Sequence, residues 1–216
     1  MRLVVEKLAA ERSGRAVFAD LSFVVEAGTL LRVSGANGAG KTTLLRILGG
    51  LAAASEGSAA WHTKDELLRS AEATCFVGHA NAFNDALSVH ENLAYAAALS
   101  GQNVSSQDIS LTLNAFGMKP MINRHFGTLS QGQRKRCSLA RLLLLDSDSN
   151  SSSAANSDGR GGRAWLLDEP FVALDVDTQA QLATVISAKL AAGGLVIYTS
   201  HQAVDIYAAN TQEILL

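Results

Sequence analysis

The chain of 216 residues has only two cysteines, Cys75 and Cys137, and two prolines, Pro120 and Pro170. The cysteines stand in different segments and fit no CxxC or zinc spacing, so neither a disulfide framework nor a thiolate metal site is expected; both read as reduced, buried small hydrophobes. An excess of charge is missing as well. Eighteen Lys and Arg against 20 Asp and Glu leave a formal net charge of −2, and no overall basic field calls for a nucleic-acid partner. No apolar run approaches the roughly 20 residues that span a bilayer. The opening MRLVVEKLAAERSG is interrupted by Glu6, Lys7, Glu11 and Arg12, which is unlike a secretory signal. Work at a membrane would therefore need a second chain to supply the spanning helices. No internal repeat is visible.

What is present is 48% hydrophobic residues arranged in alternating strand and helix patterns, enough to bury one substantial core. RLVVEKLAAE and AVFADLSFVVEAG read as strands joined by the turn residues Ser13 and Gly14, an opening antiparallel layer. LLRVSG reads as a buried strand, and KTTLLRILGGL as a helix over 41–51 closed by Gly49 and Gly50. TCFVG is a further strand. Between about 88 and 145 the signals are helical, with N-caps expected at Ser88, Ser105 and Ser130 and breaks at Gly101, Gly117 and Pro120. AWLLDEP and LVIYTSH are apolar strands flanking the helix DTQAQLATVISAKLAAGG, an order that implies a parallel, mostly buried sheet. Residues 146–163, DSDSNSSSAANSDGRGGR, are too poor in apolar groups to join a core and read as a low-complexity loop. The expectation is a single α/β domain over 1–216 with an inserted helical subdomain.

The clearest chemistry lies at GANGAGKTT, formed by Gly35, Ala36, Asn37, Gly38, Ala39, Gly40, Lys41, Thr42 and Thr43. It fits GxxxxGK[ST], follows a strand and opens a helix, the context a phosphate loop requires. The glycines let backbone N–H groups converge on phosphate oxygens, and the helix N-terminus adds favourable partial charge. Lys41 can reach the β- and γ-phosphates, and the Thr42 hydroxyl is a hard ligand for Mg²⁺. WLLDEP adds two neighbouring carboxylates at a strand's end. Asp168 is placed to hold the metal and Glu169 to polarise a water in line with the γ-phosphate.

LSQGQRKR, Leu129 to Arg136, resembles the signature LSGGQ of ATP-binding cassette ATPases. The phosphate loop, the signature, LLDEP, the ALD of Ala173 to Asp175 and the histidine of YTSHQ follow in that family's order and cover nearly the whole chain. The resemblance implies a P-loop ATPase of the ABC nucleotide-binding fold that takes ATP and Mg²⁺ and works as a head-to-tail homodimer. It further implies that Ser130, Gln131, Gly132 and Gln133 meet the ATP held by the other subunit. His201 would contact the γ-phosphate, and Asp175 would form a dimer contact.

Two positions depart from the family pattern. His79 falls where a glutamine usually contacts Mg²⁺ and the attacking water, at the start of the loop, residues 80–85, against which the membrane partner docks. An imidazole can serve as ligand or hydrogen-bond partner but titrates near neutrality. Arg12 falls where an aromatic ring usually stacks on adenine, while Phe18 reads as an interior strand position; a guanidinium plane can also stack on a base.

VGH, the arginine at position 12, ENL, the basic cluster after the signature and WLLDEPFVALD resemble the ATP-binding subunits of cytochrome c maturation systems. That narrower resemblance implies a peripheral protein on the cytoplasmic face of the bacterial inner membrane. Its partners would be CcmB and the haem-handling CcmC, and its work would be haem export or release of a haem-loaded chaperone. No CxxCH is present, and His62, His90 and His125 lie in separate segments, so haem ligation is assigned to the partners. An ABC ATPase with another cargo is the alternative, distinguished by the membrane chain that accompanies it. A soluble mechanical ATPase of the same family would be expected to carry tandem cassettes or coiled-coil arms.

Overall fold

The structure is a computed structural model that describes residues 1–63, 66–78, 82–146, 162–200 and 204–216. In their described parts these form two compact units: Met1–Gly78, Gly159–Pro170 and Ala183–Leu216 in the first, His79–Asp158 and Phe171–Leu182 in the second.

The first unit holds two sheets. Strands β1 (Arg2–Arg12) and β2 (Arg15–Glu26) form the expected hairpin, with Ser13 and Gly14 both at positive φ, the geometry that matches the twist of tightly linked strands. Strands β4 (Glu56–His62) and β5 (Leu67–Leu68) complete an antiparallel sheet in the order β2-β1-β4-β5. Leu3 and Val5 of β1 face the core; then a register shift at Glu6 and Lys7, the latter at φ 46°, re-aims the strand so that Leu8 and Ala10 are buried.

The second sheet is wholly parallel, in the order β6-β7-β8-β3-β9, from β3 (Thr29–Ser34), β6 (Thr74–Val77), β7 (Ala164–Leu167), β8 (Val196–Thr199) and β9 (Asn210–Leu215). Strands β7 and β8 are buried at every position, as apolar runs in a parallel sheet should be. Both stop sooner than expected: β7 ends at Leu167, which frees Asp168 and Glu169 for the turn beyond, and β8 ends at Thr199. Helix α1 (Lys41–Leu48) packs Leu44, Leu45, Ile47 and Leu48 into the core that the two sheets share, and with Gly49 as its C-cap it ends three residues before Leu51. A short helix, α2 (Ser70–Ala73), leads into β6. Trp61 of β4 is fully buried and its indole N–H donates to the Leu48 carbonyl at 2.9 Å, satisfying the end of α1.

The second unit is helical. Helices α3 (Val89–Leu99) and α4 (Ser106–Asn114) begin in full capping boxes, Ser88 with Glu91 and Ser105 with Asp108. Helix α5 (Gln131–Asp146) starts after Ser130, whose hydroxyl accepts from the Gln133 amide while the Gln133 side chain accepts from the Ser130 amide. All three expected caps are present. Helix α6 (Val176–Ala191) is shared by the two units and is capped by Asp175, which accepts from the Thr178 amide at 2.8 Å. Cys75 and Cys137 are both buried and neither is in a disulfide, and burial pushes the Cys137 thiol up to about 12.

Candidate functional site

In the first unit the phosphate loop, the turn after β7 that carries Asp168 and Glu169, and the end of β8 at Thr199 converge at the C-terminal end of the parallel sheet. β3 delivers the loop, with Gly35, Gly38 and Gly40 all at positive φ and α1 beginning at Lys41. A Cβ built at Gly38 meets nothing within 4 Å, so its backbone faces open space. One built at Gly40 overlaps Val17 Cγ1 and stands 3.0 Å from Phe18 Cδ1. Lys41 is buried and its ammonium donates to the carbonyls of Gly35 and Ala36 at 2.8 and 2.9 Å, so the cation is held inside the loop.

Across from it, the Thr42 hydroxyl donates to Asp168 at 2.9 and 3.1 Å, joining residues 126 positions apart. Asp168 is 4% exposed; its amide donates to the Val77 carbonyl of β6, and its Oδ1 accepts a further 2.9 Å hydrogen bond from Thr199. Glu169 follows in the left-handed region, at φ 47°. The donor set fits Mg²⁺ with a nucleotide: one hydroxyl and one carboxylate, both hard oxygens, beside a loop whose N–H groups and lysine suit phosphate.

The second unit gathers another set. Gly132, in the first turn of α5, stands where a Cβ would be 3.1 Å from the Ala173 carbonyl, so the signature start packs against the ALD segment. Hydrogen bonds from Thr178, its backbone amide first, hold the Asp175 carboxyl below its ordinary value, and the Arg136 charge adds to this. Arg134 of the signature helix donates to the carbonyls of Leu129 and Gly127, pairs with Asp85 at 3.2 Å and covers the Phe126 ring. Phe126 in turn meets Phe83 edge to face. Sequence reasoning missed this role of Arg134; its only signal was membership in a basic cluster. In the same unit a cavity of about 430 Å³ is lined by Asn84, Tyr95, Leu99, Arg141 and Leu145 among others.

His79 and His201 lie outside the described residues, as do Ala80 and Asn81 of the expected docking loop and residues 147–161 of the low-complexity segment. Arg12 is exposed at the end of β1, paired in register with Arg15. Phe18 is half-buried on β2, as its interior position suggested, and its ring edge reaches the phosphate loop at Gly40. His90 shares a 3.0 Å hydrogen bond with Ser106, and His125 donates from Nδ1 to the Ala86 carbonyl, both at the surface. Among the described residues no helix is long and apolar enough to cross a membrane.

Comparison with known proteins agrees with this geometry. The family described as ABC transporter matches residues 18–149. The cytochrome c biogenesis ATP-binding export protein CcmA of Albidiferax ferrireducens is 39% identical over 97% of this chain and 94% of its own length. The protein of the same description from Nitrosococcus oceani is 40% identical over 99% and 92%. Among solved structures, an ABC transporter ATP-binding protein from Pyrococcus furiosus superposes with a TM-score of 0.79 at 23% identity, covering 99% of this chain and 97% of that one. A second, an ATP-binding subunit of an ABC transporter, gives 0.74 at 20% identity, covering 93% and 80%; at these identities both speak for the fold. Phosphate loop, paired carboxylates, signature helix and near full-length identity coincide, and the chain belongs to the ABC transporter ATP-binding family, in its CcmA type.

Proposed function

We propose that this chain is the ATP-hydrolysing subunit of a membrane complex for c-type cytochrome biogenesis, coupling ATP turnover to haem export or to release of a haem-loaded chaperone. The similarity to CcmA proteins along nearly the entire chain supports the assignment to that process. The observation that carries the chemistry is the Thr42–Asp168 contact, which sets a hydroxyl and a carboxylate beside the phosphate loop.

In this reading the N–H groups of Gly35 to Thr43 and the Lys41 ammonium bind and orient the triphosphate, and Arg12 stacks on the base. Thr42 and Asp168, with His79, would hold Mg²⁺, which neutralises charge that develops on the phosphate oxygens. Glu169 orients a water and takes its proton as the water oxygen bonds to the γ-phosphorus and the bond to the bridging oxygen of ADP breaks. His201 steadies the γ-phosphate. Ser130, Gln131, Gly132 and Gln133 supply the start of α5 to the nucleotide of a second copy. The Ser130 hydroxyl caps that helix by accepting from the Gln133 amide, and a helix N-terminus carries the partial positive charge that suits an anion. Asp175 lies in the dimer contact, and the two units act together as one cassette.

The membrane partners in this reading are CcmB and CcmC, at the cytoplasmic face of the inner membrane. The cavity lined by Ala82, Asn84, Tyr95 and Leu99 supports a seat for a partner segment at the described part of the expected docking loop. Glu169→Gln in the assembled complex is expected to lower turnover at least about 100-fold with nucleotide binding retained. Turnover near wild type would remove Glu169 from its role. Recovery of the chain from solubilised membranes without membrane-protein partners would count against the assignment to a transport complex.

A further inference from the structure

Glu169 has a backbone conformation that a non-glycine residue seldom adopts, φ 47°, and it precedes Pro170, whose ring disfavours the ordinary helical alternative for the residue before it. A residue in that region persists where its surroundings hold it. One hold is visible: the Glu169 N–H donates to Thr199 Oγ1 at 2.8 Å. The same hydroxyl gives its own proton to Asp168 Oδ1 at 2.9 Å. Thr199 is completely buried at the last position of β8, beside Val33 of β3 in register, one strand from the phosphate loop. Its hydroxyl therefore accepts from one member of the acidic pair and donates to the other. A valine would fill nearly the same volume at this buried position but could make neither hydrogen bond.

We propose that Thr199 is a positioning residue for hydrolysis: its hydroxyl sets the backbone of Glu169 and the carboxylate of Asp168 in a fixed relation, so that the Glu169 carboxylate meets the attacking water. The inference rests on Glu169 being the residue that orients the water. Thr199 acts through its two neighbours, Asp168 and Glu169.

The test uses the full chain in its purified membrane complex, with Thr199→Val, Thr199→Ser and Glu169→Gln measured side by side. Thr199→Val keeps the shape and removes both hydrogen bonds. Its kcat for ATP is expected to fall about 10- to 100-fold, the scale of a misplacement of roughly 1 Å, while KM for ATP changes less than about threefold. Thr199→Ser restores the hydroxyl and is expected to return kcat to within about threefold of wild type. Hydrogen exchange of the Glu169 amide, slow in wild type and in Thr199→Ser, should speed up in Thr199→Val, a readout independent of turnover. A Thr199→Val enzyme with wild-type kcat, beside an inactive Glu169→Gln, overturns the proposal and leaves the role of Glu169 intact. Loss of nucleotide binding together with kcat also overturns it, because that marks general collapse of the site. An active Glu169→Gln overturns the reading on which it rests. Should Thr199→Val prove too unstable to purify, Thr199→Ala carries the same expectation, and retention of kcat there refutes it equally.

Discussion

Gly40→Ala is the sharpest test of how the phosphate loop is built, because the backbone and the packing object to it separately. Gly40 sits at φ 104°, outside the regions that L-residues occupy readily, and a strained φ of this kind costs about 1–3 kcal/mol. The added methyl would also overlap Val17 Cγ1 and press on Phe18 Cδ1, so that β2 must give way; overpacking of that sort costs a further 1–3 kcal/mol or so. A total near 4 kcal/mol lowers Tm by about 8–16 °C for a domain of this size. Gly38→Ala is the control. Its φ of 83° is also unfavourable, yet an added Cβ meets nothing within 4 Å, which leaves only the backbone cost, about 1–2 kcal/mol or 2–8 °C. Thermal unfolding of the nucleotide-free chain by circular dichroism, wild type beside both variants, reads the difference directly. Equal melting temperatures for the two variants would refute the claim that β2 braces the loop through Val17 and Phe18.

Arg134→Ala removes an ion pair to Asp85, two hydrogen bonds to carbonyls and the cover over Phe126. With these groups partly exposed, the sum should be about 2 kcal/mol, a Tm lower by roughly 4–8 °C, and Arg134→Lys should recover little because an ammonium cannot fork to the same acceptors. A melting temperature within 1 °C of wild type for Arg134→Ala would show the network to be ornamental. The carboxyls of Glu91, Asp108 and Asp175 are all held below their ordinary values: by the Ser88 hydroxyl and amide, by those of Ser105, and by the backbone and side chain of Thr178. Each binds a proton more readily unfolded than folded, so its contribution is complete above the ordinary values of 4.5 and 3.8 and is lost as pH falls through the lowered ones. Melting temperatures between pH 5.5 and 3 should drop less steeply for the triple variant Glu91→Gln, Asp108→Asn, Asp175→Asn than for wild type; equal slopes would sink the assignment.

Much of this architecture could be read from the chain because its strongest signals are local. GxxxxGK[ST] needs a strand before it and a helix after it, and both are written beside it as apolar LLRVS and LLRIL. Ser88 and Ser105 carry acidic partners three residues on, Ser130 a glutamine, and all three begin helices. The strands that escaped notice lack such a signal. EGSAAWH, β4, has one large apolar side chain, Trp61, and joins the sheet through pairing with β1. NTQEIL, β9, is a largely exposed edge strand held by its register with β3. In both, long-range pairing overrides weak local preference. Strands β7 and β8 end three and two residues before the stretches AWLLDEP and LVIYTSH do, because an apolar run does not say where the backbone leaves the ladder. Arg12 and His79 have no local motif of their own, and only the resemblance to the family singles them out. Arg12 has an exposed place on a hairpin, while Phe18, at an interior strand position, is the aromatic side chain whose ring edge reaches the loop at Gly40.

Thr199 shows why such a residue escapes a search by motif. Its meaning comes from register: Leu167 of β7 is level with Tyr198 of β8, and Val33 of β3 is level with Thr199. The residues just past these pairs, Asp168 and the loop from Gly35, therefore emerge together at one sheet edge, with the Thr199 hydroxyl between them. Side chains alternate along a strand, so sliding β8 by a single residue would turn Thr199 away and bring Tyr198 or Ser200 to that place. What prevents the slide is the apolar series Leu195 to Tyr198, buried throughout and unable to shift without exposing itself. The precision of the acidic pair is thus supplied by hydrophobic residues that touch no ligand, and the hydroxyl that links the pair is held in place by packing several residues away.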